Sequence, residues 1–261
     1  MKQSIEISGR KCLLYREGTP PRVLLVQPLG EQERDSIDVE VELIRQAAGD
    51  TGFAMAAFAI ADWEVELTPW HDPEVSKRKA VGEHALETLD YITDDLIPYL
   101  KEQLGNLPVV LGGYSLGGLF SRWAASKAEM FTAIAAVSPS LWICAWKGFS
   151  DAHEVYAHYV YLSLGDREEQ SKNKAIAQVG NNIRWEHEHL KQLLGDGHTI
   201  LEWNPGNHFQ DGAKRTAKGF AWCVKKLKDG TSWPTSGRNV FVKPNDQNHA
   251  CMSFGMARKR A

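Results

Sequence analysis

Ser115 stands in Gly113-Tyr114-Ser115-Leu116-Gly117, a G-x-S-x-G box. An apolar run from Leu107 to Gly112 precedes it, and a helix-like run from Gly118 to Lys127 follows. A serine hydroxyl is a weak nucleophile at neutral pH and becomes a strong one when an imidazole takes its proton during attack. At a sharp strand-to-helix turn such a serine has a strained backbone, so small neighbours are needed. Its Oγ then stands clear of the sheet at a helix N-terminus, where negative charge is favoured. The chemistry expected is acyl transfer through a covalent acyl-serine, with an oxyanion formed on the way.

The partners come later in the chain, in the order serine, acid, histidine. Thr199 to Trp203 reads as a strand, and Asn204-Pro205-Gly206-Asn207-His208-Phe209 as the loop after it. The Pro-Gly turn keeps this loop out of helical register and lets the imidazole of His208 project toward the box. His208 is the expected general base, returning the serine's proton to the leaving group. A carboxylate is needed to hold the imidazole in one tautomer and to stabilise the imidazolium. The strand Tyr159 to Leu164 ends in Gly165-Asp166-Arg167-Glu168-Glu169. Glu168, three residues past Gly165, has the spacing for a tight turn that points back at the histidine. Asp166 and Glu169 stay open as alternatives, the unused charges solvating the start of the next helix.

The oxyanion requires N–H donors. Leu116, directly after the nucleophile, supplies one; the loop Pro28-Leu29-Gly30, after the early strand Val23 to Gln27, supplies the other. Pro28 has no N–H, so Leu29 or Gly30 must donate, with Leu29 the expected donor.

The remaining segments alternate between strand and helix. Ile5 to Tyr15 suggests an opening hairpin around Gly9, Phe53 to Ile60 and Ala133 to Val137 read as buried strands, and Asp38 to Ala48 and Ile176 to Leu194 as helices. Gly82 to Leu104 reads as a further helix, with Leu86, Leu89, Ile92, Leu96 and Leu100 on one face. Residues 1–230 are expected to form one catalytic domain; 231–261 turn polar and turn-rich, an extension that either wraps the domain or is disordered.

With these residues in place the sequence resembles the putative-esterase family of the α/β-hydrolases, which includes esterase D-like enzymes and trilactone siderophore esterases. The likeness rests on Glu66-Leu67-Thr68-Pro69-Trp70, Gly112 to Gly118, Ser138-Pro139-Ser140-Leu141-Trp142 and Gly165-Asp166-Arg167-Glu168. It implies the α/β-hydrolase fold: a mostly parallel sheet with helices on both faces and an N-terminal antiparallel hairpin. It also implies a serine esterase that needs no cofactor, with Glu168 as the acid of its G-x-x-E loop. The Asn204 to His208 loop departs from the family's Gly-His and Gly-Gly-His variants.

Nine tryptophans are many for 261 residues. Trp63, Trp70, Trp142, Trp146 and Trp203 fall on or near loops after strands, the edge where open α/β sheets bind ligands. Trp70 and Trp142, with Tyr114, are the candidate substrate-binding residues.

Composition excludes several classes. Thirty basic and 33 acidic residues, well mixed, give a net charge of −3 and no footprint for nucleic acid. No stretch approaches a membrane span or a signal core, and Cys12, Cys144, Cys223 and Cys251 lack metal-ligand spacing. Four reduced thiols in a cytoplasmic protein, with no metal and no cofactor, are expected. His187-x-His189 diverges on a helix and reads as a solvated face, and His71-Asp72 as a surface loop. No long insertion follows the Ala133 to Val137 strand, so a soluble, small or medium ester is the expected partner. Nothing marks an oligomeric state. The same triad permits acyl transfer to an alcohol or sugar; a catalytically silent binding protein and an interaction module are the readings from other classes.

Overall fold

A computed structural model of the chain describes residues 1–18, 20–31, 33–75 and 84–229. The expected C-terminal extension, residues 231–261, and Cys251 lie outside the described residues. Eight strands form where the apolar runs predict them: β1 (Lys2–Ile7), β2 (Arg10–Glu17), β3 (Val23–Leu29), β4 (Phe53–Ala59), β5 (Val109–Tyr114), β6 (Phe131–Val137), β7 (Tyr159–Gly165) and β8 (Thr199–Asn204). They make one sheet in the order β1-β2-β4-β3-β5-β6-β7-β8. The β1–β2 hairpin is antiparallel and pairs antiparallel with β4, while β4 through β8 run parallel. The expected mostly parallel sheet with an N-terminal hairpin is therefore present.

Among the described residues eight α-helices cover it: α1 (Ile37–Ala48), α2 (Trp63–Leu67), α3 (Ala85–Asp90), α4 (Ile97–Leu104), α5 (Leu116–Ala124), α6 (Trp146–Ala152), α7 (Val179–Leu194) and α8 (Gly212–Asp229). Side chains alternate along each strand, so β3 sends Val23, Leu25 and Leu29 to a layer with α1 and α8. Leu24 and Val26 enter the opposite layer with α3 to α7. Burial on both faces explains why the parallel strands read as unbroken apolar runs. Each buried aromatic, such as Phe120 of α5 or Phe220 of α8, contributes roughly 1.5–3 kcal/mol.

Three expectations need correction. The stripe on the third helical stretch runs through Leu89, Ile92, Leu96 and Leu100 but leaves Leu86 48% exposed; Ala85 takes the inward place. That stretch also widens into a π-turn at Tyr91–Leu96, where the Ile97 N–H bonds Ile92. The wider register lies directly before Pro98, whose ring clashes with the carbonyl four residues back in α geometry. Asp72 is buried rather than on the surface, its Oδ2 accepting the Cys144 N–H at 2.6 Å. Finally, Cys12 and Cys223 are free buried thiols, whereas Cys144 is disulfide-bonded, against the expectation of four reduced cysteines.

A buried ion pair anchors the helix that carries the nucleophile. Arg122 Nε of α5 donates to Glu186 of α7 at 2.7 Å, and Trp146 Nε1 of α6 donates to the same carboxylate at 2.9 Å. Both charges are fully buried and mutually satisfied, so α5, α6 and α7 are held in one arrangement.

Candidate active site

Ser115 joins β5 to α5 with φ 58° and ψ −119°, a backbone state that costs a non-glycine residue on the order of 1–3 kcal/mol. Its surroundings hold it there. The Ser115 N–H donates to Val137 at 3.0 Å, and its carbonyl accepts from Leu119 (3.0 Å) and Ser140 (3.2 Å). A Cβ on Gly113 would lie 2.9 Å from the Gly117 carbonyl carbon, so the first glycine of the box is sterically required, while one on Gly117 would press on Pro28 at 3.2 Å.

The loops after β7 and β8 meet above this turn. Asp166 accepts the Gly206 N–H at 2.8 Å, and the Asp166 and Arg167 N–H groups donate to Asn204 (2.8 Å) and Gly206 (3.1 Å). A Cβ on Gly165 would run into the Gly206 carbonyl and stand 2.9 Å from Glu168 Oε1. The first position of the G-x-x-E spacing thus admits only glycine at this separation of the loops.

His208 is brought between the other two residues. Its Nε2 lies 3.0 Å from Ser115 Oγ and its Nδ1 2.7 Å from Glu168 Oε2. With the proton on Nδ1 donated to the carboxylate, Nε2 is free to accept from the serine. Of the three acids near the β7 end, only Glu168 faces the imidazole: Asp166 is the turn clamp just described, and Glu169 pairs with Arg184 at 2.7 Å.

Glu168 is buried, 7% exposed. Its Oε1 accepts from the Gly165 N–H (2.7 Å), the Ser138 hydroxyl (2.8 Å) and Arg215 Nη1 (3.1 Å). Burial pushes this carboxyl up. The hydrogen bond and charge of His208, with the Gly165 and Ser138 donors, outweigh that and hold it below the ordinary carboxylate value.

The backbone donors follow from sheet register. Leu116 opens α5, where an N–H has no partner inside the helix. On β3, the Leu24 N–H donates to Pro108 on the β5 side, while the Leu29 carbonyl accepts from Ile60 on the β4 side. Both backbone groups of a residue in a parallel strand point to the same neighbour, and successive residues alternate. Leu29 therefore turns toward β4, and the Gly30 N–H, just past the end of the strand, donates to the Glu33 carboxylate.

The expected substrate-binding residues divide. Trp70 is only 9% exposed; its Nε1 donates to the Cys144 carbonyl at 2.9 Å and its ring packs on Trp146 and Phe149. It belongs to the core, because the loop offers its indole both a hydrogen-bond acceptor and aromatic neighbours. Trp142 is half-buried, two residues beyond Ser140, whose hydroxyl is 3.4 Å from Ser115 Oγ. Tyr114 is beside the site, but its hydroxyl donates to the His208 carbonyl at 2.7 Å.

Sequence reasoning gave no role to Arg215, which is on α8 without a motif, and did not single out Ser138 within its Ser-Pro-Ser run. Trp63, named among the tryptophans at the sheet edge but not among the candidate substrate-binding residues, has its ring 2.9 Å from where a Gly30 Cβ would stand and 3.4 Å from that of Gly117. Phe209, 92% exposed, stands edge-on to the His208 ring.

Similar structures include an IroE-like serine hydrolase from Shewanella oneidensis, with TM-score 0.70 and 16% identity over 86% of this chain and 80% of that one. The siderophore hydrolase EstB from Aspergillus nidulans gives 0.65 and 17% over 90% and 96%. The enterobactin esterase from Shigella flexneri gives 0.62 and 16% over 87% and 60%. At such identities the likeness carries the fold, that of the α/β-hydrolases. No curated protein matches the sequence. The family model described as Putative esterase matches residues 42–206, well over half of the chain. The strand order, the serine turn and this match agree: the chain belongs to the putative esterase family of carboxylic ester hydrolases.

Proposed function

We propose that this protein is a serine esterase that cleaves a soluble, small or medium carboxylic ester through an acyl-enzyme on Ser115. The observation that carries the reading is His208, with one ring nitrogen 3.0 Å from Ser115 Oγ and the other 2.7 Å from Glu168. In the first half-reaction Ser115 Oγ bonds the ester carbonyl carbon while its proton passes to His208 Nε2. The carbonyl electron pair moves to oxygen, and this oxyanion accepts from the N–H of Leu116 and from a second N–H in the Leu29–Gly30 loop. When it collapses, the C–O bond to the alcohol breaks and Nε2 returns the proton to the departing oxygen. Water then repeats the sequence on the acyl-serine, releasing the acid and restoring the hydroxyl. Glu168 stays ionised throughout, holding Nδ1–H and stabilising the imidazolium.

The substrate size follows from what surrounds the serine. The connection from β6 to β7 carries only the short helix α6, Trp146–Ala152, which leaves little chain for a large lid. Half-buried Trp142 and Trp63 and exposed Phe209 offer apolar surface around the reacting atoms. The test is hydrolysis of p-nitrophenyl esters of increasing acyl length by wild type and Ser115→Ala. Turnover of the short esters by wild type alone supports the reading; equal rates from both proteins overturn it.

A further inference from the structure

Arg215 lies in the first turn of α8, only 1% exposed. Ester hydrolysis by serine, histidine and a carboxylate requires no cation there. Yet this guanidinium joins three parts of the site. Its Nη1 donates to Glu168 Oε1 at 3.1 Å and to the Tyr114 hydroxyl at 3.2 Å, and its Nη2 donates to the Pro205 carbonyl at 2.8 Å. Tyr114 in turn donates to the His208 carbonyl at 2.7 Å. The acid, both ends of the histidine loop and the residue before the nucleophile therefore converge on one buried cation.

The electrostatic consequence has a definite sign. A carboxylate against an imidazole stabilises the imidazolium, and a protonated histidine cannot take the serine's proton. A cation behind the carboxylate opposes the imidazolium and also keeps the carboxylate ionised. Of the other charged groups near the loop, Asp211 and Lys214 are exposed, and the rest have partners of their own. Asp166 holds the Gly206 N–H, Arg167 reaches Gln210, Glu169 pairs with Arg184, and Lys218 of α8 pairs with Glu202 of β8. Glu33, after β3, packs against Gly30, and β5 and the β6 loop present only Tyr114, Ser115, Ser138 and Ser140.

We propose that Arg215 is a positioning residue of this esterase: it locks Glu168 and the His208 loop onto the end of β5, and its charge behind the carboxylate extends the activity of the triad to lower pH. The inference rests on the reading of His208 as general base.

The test is the pH profile of kcat/KM on p-nitrophenyl acetate for wild type, Arg215→Lys and Arg215→Met. Arg215→Met should move the acid limb upward by on the order of one pH unit, so that its loss relative to wild type grows as pH falls and approaches roughly tenfold below both limbs. Arg215→Lys, which keeps the charge, should leave the limb near its wild-type position. A uniform loss in Arg215→Met with an unmoved limb would mean a purely structural role and overturn the proposal. If Arg215→Met does not fold, Glu168→Gln is compared with Glu168→Gln/Arg215→Met, which removes both buried charges together. A higher limb in the double variant supports the proposal, and coincident limbs refute it. An NMR titration of the His208 imidazole reads the same shift without turnover. A wild type that hydrolyses no ester would then sink the esterase reading, while the imidazole shift still decides the effect of Arg215.

Discussion

The phenol of Tyr114 donates to the backbone carbonyl of His208 at 2.7 Å, tying the residue before the nucleophile to a histidine 94 positions later. Their rings also touch, with centroids 5.2 Å apart. Through this bond the strained serine turn and the histidine loop move as one unit, so the 3.0 Å between Ser115 Oγ and His208 Nε2 does not depend on the loop alone.

Tyr114→Phe keeps the ring and removes the bond, worth about 1 kcal/mol. The expected result is a fall in kcat of roughly three- to tenfold with KM unchanged, because the phenol positions the base. Steady-state kinetics checks this. A raised KM at constant kcat would make Tyr114 a substrate contact instead.

Ser115→Ala and His208→Ala should each remove roughly six orders of magnitude in turnover, and Glu168→Gln nearer four. Asp166→Asn and Glu169→Gln should retain at least about a tenth of wild-type activity, since neither carboxylate faces the imidazole. Progress curves on one p-nitrophenyl ester, corrected for background hydrolysis, separate the three acids.

The legibility of these residues depended on how local their signals are. Ser115 was readable because the box, the strand before it and the helix after it are contiguous. His208 and Glu168 were readable because each follows a recognisable strand at the same sheet edge, and Gly165 sits where a Cβ would meet the Gly206 carbonyl. Whether Leu29 or Gly30 offers the second N–H depends on the course of the chain just past β3, which composition does not carry. Trp70 looked like Trp142 because both follow strands; the Cys144 carbonyl, 74 positions away, and the rings of Trp146 and Phe149 distinguish a core indole from a rim one. Arg215 meets Glu168 across 47 positions from a lysine-rich helix, so no local pattern marked it.

The two tryptophans should behave differently when truncated. Trp70→Ala empties a packed aromatic cluster and should cost about 3–5 kcal/mol of stability, seen as a lower melting temperature. Trp142→Ala should leave the melting temperature nearly unchanged and raise KM for longer acyl chains. Melting curves and kinetics on the same preparations test both halves.

Glu40 provides a pH dependence of stability. It is buried on α1, where loss of solvation pushes its carboxyl well above the ordinary range, against a hydrogen bond with Gln27 and with a smaller upward push from Glu33. The folded state therefore binds this proton more tightly than the unfolded chain. Its contribution is complete below the ordinary carboxylate value and is lost as pH rises through the raised folded value. Glu40→Gln mimics the protonated form and should raise the melting temperature at pH 8 more than at pH 5. An equal shift at both pH values would contradict a neutral Glu40.

The central claim is that Ser115 is an activated nucleophile, and labelling with a fluorophosphonate tests it without any guess at the substrate. Intact mass followed by peptide mapping should show a single adduct on Ser115, absent after heat denaturation and in His208→Ala. A folded protein that takes no adduct, or takes it on another residue, would contradict the assignment of Ser115, Glu168 and His208 as a working triad.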